Sequence, residues 1–188
     1  QTVPLSRVVA QYQNELPLLT ELVREIKELN VLMLAALLHD IGKALPGDHS
    51  ETGANLSTEI GLRLTMPGDQ VEKLSFLIKQ HLYLNEIAQR RDLNDERIIV
   101  QVAQRIGDID LLKMLFLLTF ADIKAVGTEA WTEWKNMLLS ELFFKVLHVL
   151  EKGEFSTANA REIIVQRQKE LRIILSAGMD SACLEEYL

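Results

Sequence analysis

The sequence predicts an all-α protein built around one main domain. Apolar residues recur at three- and four-residue intervals along most of the chain, for example at Leu56, Ile60 and Leu64, which is the period of an amphipathic helix. Alternating polar and apolar runs bounded by Asn-Gly or Asp-Gly, which are typical of β-hairpins, do not occur in the sequence. The 188 residues are 48% hydrophobic, which is enough for a core that needs no disulfide or metal support.

Turn and capping signals divide the chain into its predicted helices. Residues 46–48 and 67–69 both read Pro-Gly-Asp, which indicates a helix-to-helix turn with an aspartate placed to cap the next helix. Gly107-Asp108 and Gly127-Thr128 likewise combine a turn glycine with a residue that can cap the next helix. The predicted helices span residues 15–29, 31–42, 50–65, 69–82, 84–91, 95–106, 108–126, 128–152 and 157–176.

Composition and charge exclude several functional classes. The chain has 20 Lys and Arg against 27 Asp and Glu, a net charge of -7, so it offers nucleic acid no broad basic surface. The longest apolar run, residues 31–38, is far shorter than the ~20 residues that cross a bilayer. The lone Cys183 and the lack of a recognisable signal peptide favour a cytoplasmic location.

Polar side chains appear abruptly at the end of that apolar run. Residues 31–38 are apolar on all sides, which predicts a buried helix, and His39 and Asp40 follow directly. Burying an imidazole beside a carboxylate is costly unless the two are paired, hydrogen-bonded or bound to a cation. The sequence therefore leaves two interpretations: a metal site, or a capped helix end with a hydrogen-bonded His-Asp pair.

Further candidates for such a site are spread over four predicted helices. They are His49, His81, Lys43 and Asp122, and the last lies within the apolar run 114–125, where an interior position is expected. Imidazole nitrogen and carboxylate oxygen together suit Mn, Fe, Zn or Mg, and the absence of usable thiolates argues against a Cys-type zinc site.

This series of residues resembles the HD superfamily of metal-dependent phosphohydrolases. The superfamily pattern combines a His-Asp pair with a distant Asp, and members with two metals carry further histidines. The resemblance implies an HD-domain helical bundle in which two divalent ions, with Mn, Mg, Fe or Zn as candidates, are bound by His39, Asp40, His49, His81 and Asp122. Asp40 is then expected to bridge the ions and, with Lys43, to be a catalytic residue.

Five separated segments resemble more closely the HD domains of bifunctional PII uridylyltransferase/uridylyl-removing enzymes. They are Gly47–Ser50, Gln80–Leu82, Ala88–Asp92, Leu118–Ile123 and Trp131–Lys135. The resemblance implies removal of UMP from a tyrosine of uridylylated PII signalling protein, and fused nucleotidyltransferase and ACT domains in the parent protein. Hydrolysis of a free nucleotide, such as an alarmone or a cyclic dinucleotide, is the alternative within the same chemistry.

The same resemblance suggests a division of the chain. Residues 1–30 are expected to be a helical lead-in, 31–152 the HD phosphohydrolase domain and 153–188 a C-terminal helical connector. The HD pattern also includes a histidine upstream of the His-Asp pair, and none precedes His39. The junction near 13–14 is a candidate position for missing residues. A truly absent ligand favours a third interpretation, a catalytically silent helical regulatory module.

Several other residues have both a functional and a structural interpretation. Lys43 lies one helical turn after His39, which favours contact with a substrate phosphate. Arg90 and Arg91 are candidates for the same role, because guanidinium groups bind phosphate bidentately, but exposed arginine pairs are more often solvated surface. A hydrogen-bonded core or boundary position is favoured over a ligand role for His148. Core packing is favoured for Trp131 and Trp134, which lie three residues apart on one helical face.

Overall fold

The computed structural model describes residues 17–126 and 132–153, and these residues are helical without any β-strand. This confirms the predicted all-α class. The helices are α1 (Pro17–Glu25), α2 (Leu29–Leu38), a 3-10 helix (Ile41–Ala44), α3 (His49–Arg63), α4 (Gly68–Gln80), α5 (Tyr83–Arg90), α6 (Glu96–Ile106), α7 (Ile109–Val126) and α8 (Glu133–Glu151).

Helix α7 lies at the centre of the bundle. It contacts α1, α2, α4, α5, α6 and α8, and its residues from Met114 to Thr119 are all buried. A helix that is apolar on most of its faces is stable only when other helices cover it. The arrangement places the C-terminal half of α7 next to the ends of α2 and α4, where the polar candidates lie.

Helices α3 and α4 form the most extensive helix pair in the described part of the chain. The buried residues of α3 are all small: Gly53, Ala54, Ser57 and Gly61. Small side chains let the backbones of the two helices approach closely, and Leu74, Leu77 and Ile78 of α4 fill the space between them and the core. This packing fixes the start of α3 against the end of α4.

Most of the predicted capping residues have the expected role. The Asp48 carboxylate accepts hydrogen bonds from the amides of Ser50 and Glu51 at 2.9 and 3.0 Å, and Asp108 accepts one from Leu111 at 2.8 Å. Gly107 ends α6 in the left-handed conformation, with φ of 72°. The prediction for Asp69 was wrong, because α4 begins at Gly68 and Asp69 lies inside its first turn.

The predicted bounds of three helices differ from the structure by more than two residues at one end. The helix predicted over 15–29 ends at Glu25, and the one predicted over 31–42 ends at Leu38 and is followed by the separate 3-10 helix. Thr132 caps α8, which therefore begins at Glu133 rather than near 128. The helix predicted over 157–176 lies outside the described residues, and the predicted domain boundaries stay predictions. Within the described ranges, no helix is long and apolar enough to cross a membrane.

Candidate metal centre

His39 is held by its own helix. It is the C-cap residue of α2, and its Nδ1 lies 2.9 Å from the carbonyl oxygen of Ala36. A carbonyl oxygen can only accept, so Nδ1 donates and the opposite ring nitrogen is left for other partners. That Nε2 atom lies 3.5 Å from Oδ2 of Asp40 and 3.4 Å from Oδ1 of Asp122. The end of α2 thus presents Nε2 to two carboxylates.

His81 repeats this arrangement at the end of α4. Its Nδ1 donates to the carbonyl oxygen of Ile78 at 2.7 Å, and Nε2 lies 4.0 Å from Oδ1 of Asp40. The side chain is buried, and burial lowers the pKa of His81 below its ordinary value because the charged imidazolium is poorly solvated there. The neutral ring therefore turns an Nε2 lone pair towards the Asp40 carboxylate.

His49, the first residue of α3, completes a compact group. Single ligand atoms of Asp40, His49 and His81 all lie within 4.8 Å of one another. The rings of His49 and His81 are in edge contact, with centroids 5.4 Å apart, and His39 makes the same contact with His81.

A glycine makes the position of His49 possible. A Cβ atom at Gly42 would lie 2.0 Å from the carbonyl oxygen of His49 and 2.7 Å from the amide nitrogen of Gly53. Only a residue without a side chain lets the 3-10 helix lie this close to the first turns of α3.

Asp122 joins the group from α7. Its carboxylate lies 3.4 Å from Nε2 of His39, but the side chain retains 22% of its exposure, so the predicted interior position is only partly correct. The reason is geometric: the last turns of α7 emerge from the core at this point, and the neighbouring Ala121 and Lys124 are exposed. The site is consequently open to solvent on one side.

Lys43 contacts the centre through Asp40. Its Nζ donates to Oδ2 of Asp40 at 2.7 Å, and 62% of its side chain is exposed. Burial raises the pKa of Asp40, but the hydrogen bond from Lys43 and the nearby positive charges outweigh burial and leave that pKa below its ordinary value. The same hydrogen bond raises the pKa of Lys43. At neutral pH both groups are therefore charged.

Comparison with known proteins identifies the family. The model of the HD domain family matches residues 9–110, which is more than half of the chain. The chain belongs to the HD domain family. Three bifunctional uridylyltransferase/uridylyl-removing enzymes are among the proteins that resemble it.

The enzyme of Gluconobacter oxydans is 40% identical over 176 residues, or 93% of this chain. Those of Vibrio cholerae and Nitrosococcus oceani are 35% identical over 159 residues and 36% identical over 162 residues, or 85% and 86% of the chain. The chain spans 18% of the length of each of these relatives.

The side chains of this HD domain fit a divalent cation better than a hydrogen-bonded His-Asp pair. Separations of 3.4 and 3.5 Å from Nε2 of His39 to the carboxylates exceed the 2.7–3.2 Å usual for an N–H···O bond. Lone pairs of His81 and Asp40 that face each other across 4.0 Å repel unless a cation lies between them. Imidazole rings fixed by backbone carbonyls, with carboxylates nearby, are typical of metal ligands.

The remaining sequence candidates lie outside this group of atoms. Arg90 and Arg91 are exposed at the end of α5, in the wall of a neighbouring cleft that His49 also lines. His148 of α8 is exposed and lines a different cleft, which does not support the core or boundary position predicted for it. Trp134 is 55% exposed, which does not support the core packing predicted for it, and Trp131 lies outside the described residues.

Sequence reasoning missed two residues that support the centre. Gly42 gave no signal beyond its place after the His-Asp pair. Thr119, buried on α7, shares its one hydroxyl hydrogen between the carbonyl oxygens of Leu115 at 2.8 Å and His81 at 3.2 Å. The family resemblance covered Thr119 without indicating a role, because this contact joins residues 38 positions apart.

Proposed function

We propose that this HD domain is a metal-dependent phosphodiesterase. The observation that carries the proposal is the position of Asp40, whose Oδ2 faces His39 while its Oδ1 faces His81. Asp40 would therefore hold divalent cations together with His39 and Asp122 on one side and with His81 and His49 on the other. The proposed ligands are His39, Asp40, His49, His81 and Asp122.

Each part of the site has a distinct task in the proposed reaction. Divalent cations, when bound, supply Lewis-acid activation of water and of phosphoryl oxygens. The histidine rings and the carboxylates would hold the ions. Hydrogen bonds from Nδ1 of His39 and of His81 to the carbonyl oxygens of Ala36 and Ile78 fix the orientation of those two rings. The Lys43 ammonium group is exposed towards solvent beside Asp40, where it can neutralise negative charge on a substrate phosphate.

The proposed substrate is uridylylated PII signalling protein. Support comes from identities of 35–40% to enzymes named as uridylyl-removing, over 85–93% of the chain. Water would add to phosphorus while the bond from phosphorus to the tyrosine oxygen breaks, giving UMP and a free tyrosine hydroxyl. Nucleotidyltransferase and ACT domains in a parent protein are part of the same proposal.

Turnover and metal content of the purified chain test this proposal. Release of UMP from uridylylated PII is measured with Mn, Mg, Fe or Zn, beside an alarmone and a cyclic dinucleotide as free-nucleotide substrates. Asp40→Asn should reduce turnover by about 100-fold or more and lower the bound metal. Asp110→Asn is the matched control, because Asp110 pairs with Lys27 away from the centre.

Two outcomes contradict parts of the proposal. Preference for a free nucleotide would overturn the PII assignment while leaving the phosphodiesterase chemistry intact. Absence of both stoichiometric metal and turnover would instead identify a catalytically silent module.

A further inference from the structure

A cleft of about 610 Å³ opens directly beside the cluster of candidate metal ligands. Its wall is formed by the start of α3, the end of α4, α5 and one residue of α6, and His49 belongs to both the cleft and the cluster. Clefts of 300–1,000 Å³ are typical of sites for small molecules and cofactors. A substrate whose phosphate lies at the cluster can therefore extend into this space.

Three arginines that form no ion pair in the described part of the chain line the cleft. Arg90, Arg91 and Arg105 line it, and none of them forms an ion pair with a carboxylate in the described ranges. Most described lysines, by contrast, are paired, and Lys79 in the same wall is bound to Glu51 at 2.8 Å. Two other acidic residues line the wall: Asp48 is occupied with the first amides of α3, whereas Glu86 is exposed and forms no ion pair with these arginines. Three unpaired guanidinium groups in a protein of net charge -7 indicate an anionic ligand.

One of these arginines lies on an aromatic ring. Cζ of Arg105 is 4.3 Å from the centroid of the Tyr83 ring, a cation-π contact. Tyr83 is half-buried and packs against the hydrophobic core, so the position of its ring is fixed by the bundle. The Arg105 guanidinium is itself planar, positively charged and exposed, and planar bases stack well on such groups.

We infer that this cleft is a nucleoside-binding subsite, in which the base stacks on the Tyr83–Arg105 pair while Arg90 and Arg91 bind phosphate oxygens. The inference rests on the proposed function, because it places the phosphate of the same substrate at the adjoining metal cluster. Arg105 is then a specificity-determining residue: it recognises the nucleoside portion of the ester and takes no part in the bond that breaks.

A matched pair of small esters tests Arg105 directly. Uridine 5′-(4-nitrophenyl phosphate) and methyl 4-nitrophenyl phosphate release the same 4-nitrophenolate on hydrolysis, but only the first carries a base. With Mn present, Arg105→Ala should lower kcat/KM for the uridine ester by roughly tenfold through KM and leave the methyl ester unchanged. Arg105→Lys, which keeps the charge without the planar group, should be nearly as impaired.

Controls separate the subsite from general effects. Arg63→Ala removes an exposed arginine on another surface and should leave both esters unchanged. An equal loss for both esters in Arg105→Ala, or no loss for either, overturns the inference. So does a loss confined to uridylylated PII, because it would place Arg105 against the protein portion of that substrate.

Binding without turnover distinguishes failure of the subsite from failure of the proposed function. Calorimetric titration of the chain with UMP and with inorganic phosphate should show tighter binding of UMP, and Arg105→Ala should remove that difference. If neither ester is hydrolysed but this difference is present and depends on Arg105, the phosphodiesterase proposal fails and the subsite stands. If the wild-type chain binds UMP no better than phosphate, the subsite fails.

Discussion

Thr119 shows how a single hydroxyl can support the candidate metal centre from the core. It is buried, and its Oγ1 bonds to the His81 carbonyl, which links α7 to the C-terminal end of α4. Thr119→Val keeps the shape but leaves the carbonyl without this donor, so we expect a loss of about 1 kcal/mol in unfolding free energy. Urea unfolding in EDTA measures that loss.

The same substitution should also affect the centre itself. Because the His81 ring follows the backbone that Thr119 holds, we expect Mn affinity to fall by roughly tenfold, which a titration would measure. Thr119→Ser retains a hydroxyl and should keep most of that affinity. An unchanged affinity in Thr119→Val would mean that α4 holds His81 in place without help from α7.

The sequence indicated the proposed ligands better than it indicated the residues that support them. His39 and Asp40 were predictable because charged and polar groups at the end of an apolar helix require a partner. Thr119 and Arg105 were not, because each acts through a contact between residues far apart in the sequence. Arg105 was not a candidate until the structure placed it on the ring of Tyr83, which lies on another helix. Local patterns carry no information on such pairs.

At the scale of elements, the contact between the 3-10 helix and α3 controls the geometry of the centre. Gly42→Ala would place a methyl carbon 2.0 Å from the His49 carbonyl oxygen, so the two backbones must separate. We expect a loss of about 1–3 kcal/mol in unfolding free energy and weaker Mn binding, because Asp40 and His49 move apart.

Urea unfolding and Mn titration check both effects. The matched control is Gly68→Ala, where an added Cβ meets nothing within 4 Å. Equal behaviour of the two variants would show that the 3-10 helix can shift without consequence for the centre.

Helix caps make the stability of individual elements depend on pH. Asp95 caps α6, and hydrogen bonds from the Arg97 side chain and amide lower the pKa of Asp95. A lowered pKa stabilises the folded state above the unfolded value of about 3.9, and this contribution is lost as pH falls through the folded value. Asp95→Asn keeps an acceptor but cannot titrate, so it should be less stable than wild type at pH 7 and approach it below pH ~4.

Urea midpoints measured between pH 7 and pH 2.5 in EDTA test this expectation. A constant difference between the two proteins over that range would mean that Asp95 contributes only its hydrogen-bond acceptor.

The helix patterns also explain which boundaries could be predicted. Asp48 and Asp108 begin helices as expected, because an acceptor before an apolar repeat is a local signal. The end of α2 at Leu38 gave no such signal, and the sequence pattern continued through Gly42. The chain leaves the α-helix there so that the 3-10 helix can lie against α3, which is a tertiary effect.

For the molecule as a whole, the proposed ligands come from elements that are distant in the sequence and meet at one site. His39 ends α2, Asp40 precedes the 3-10 helix, His49 begins α3, and His81 follows α4 while Asp122 lies on α7. The family resemblance indicates these residues as one group from the amino-acid sequence alone, because the HD pattern reflects a three-dimensional arrangement. Cations held by ligands from so many helices would be released when the bundle unfolds.

Metal binding should therefore stabilise the entire bundle. At a free Mn concentration 100 times its Kd, one bound ion adds about 2.7 kcal/mol to the unfolding free energy, because the unfolded chain lacks the assembled site. Removal of metal with EDTA should lower Tm correspondingly, and thermal unfolding with and without Mn measures the shift.

Asp122→Asn should reduce the Mn-dependent shift in Tm and Asp40→Asn should abolish it, whereas Asp110→Asn should retain the full shift. If Mn leaves the Tm of the wild-type chain unchanged, His39, Asp40 and Asp122 do not act together as ligands, and their proximity reflects packing of α2 against α7 alone.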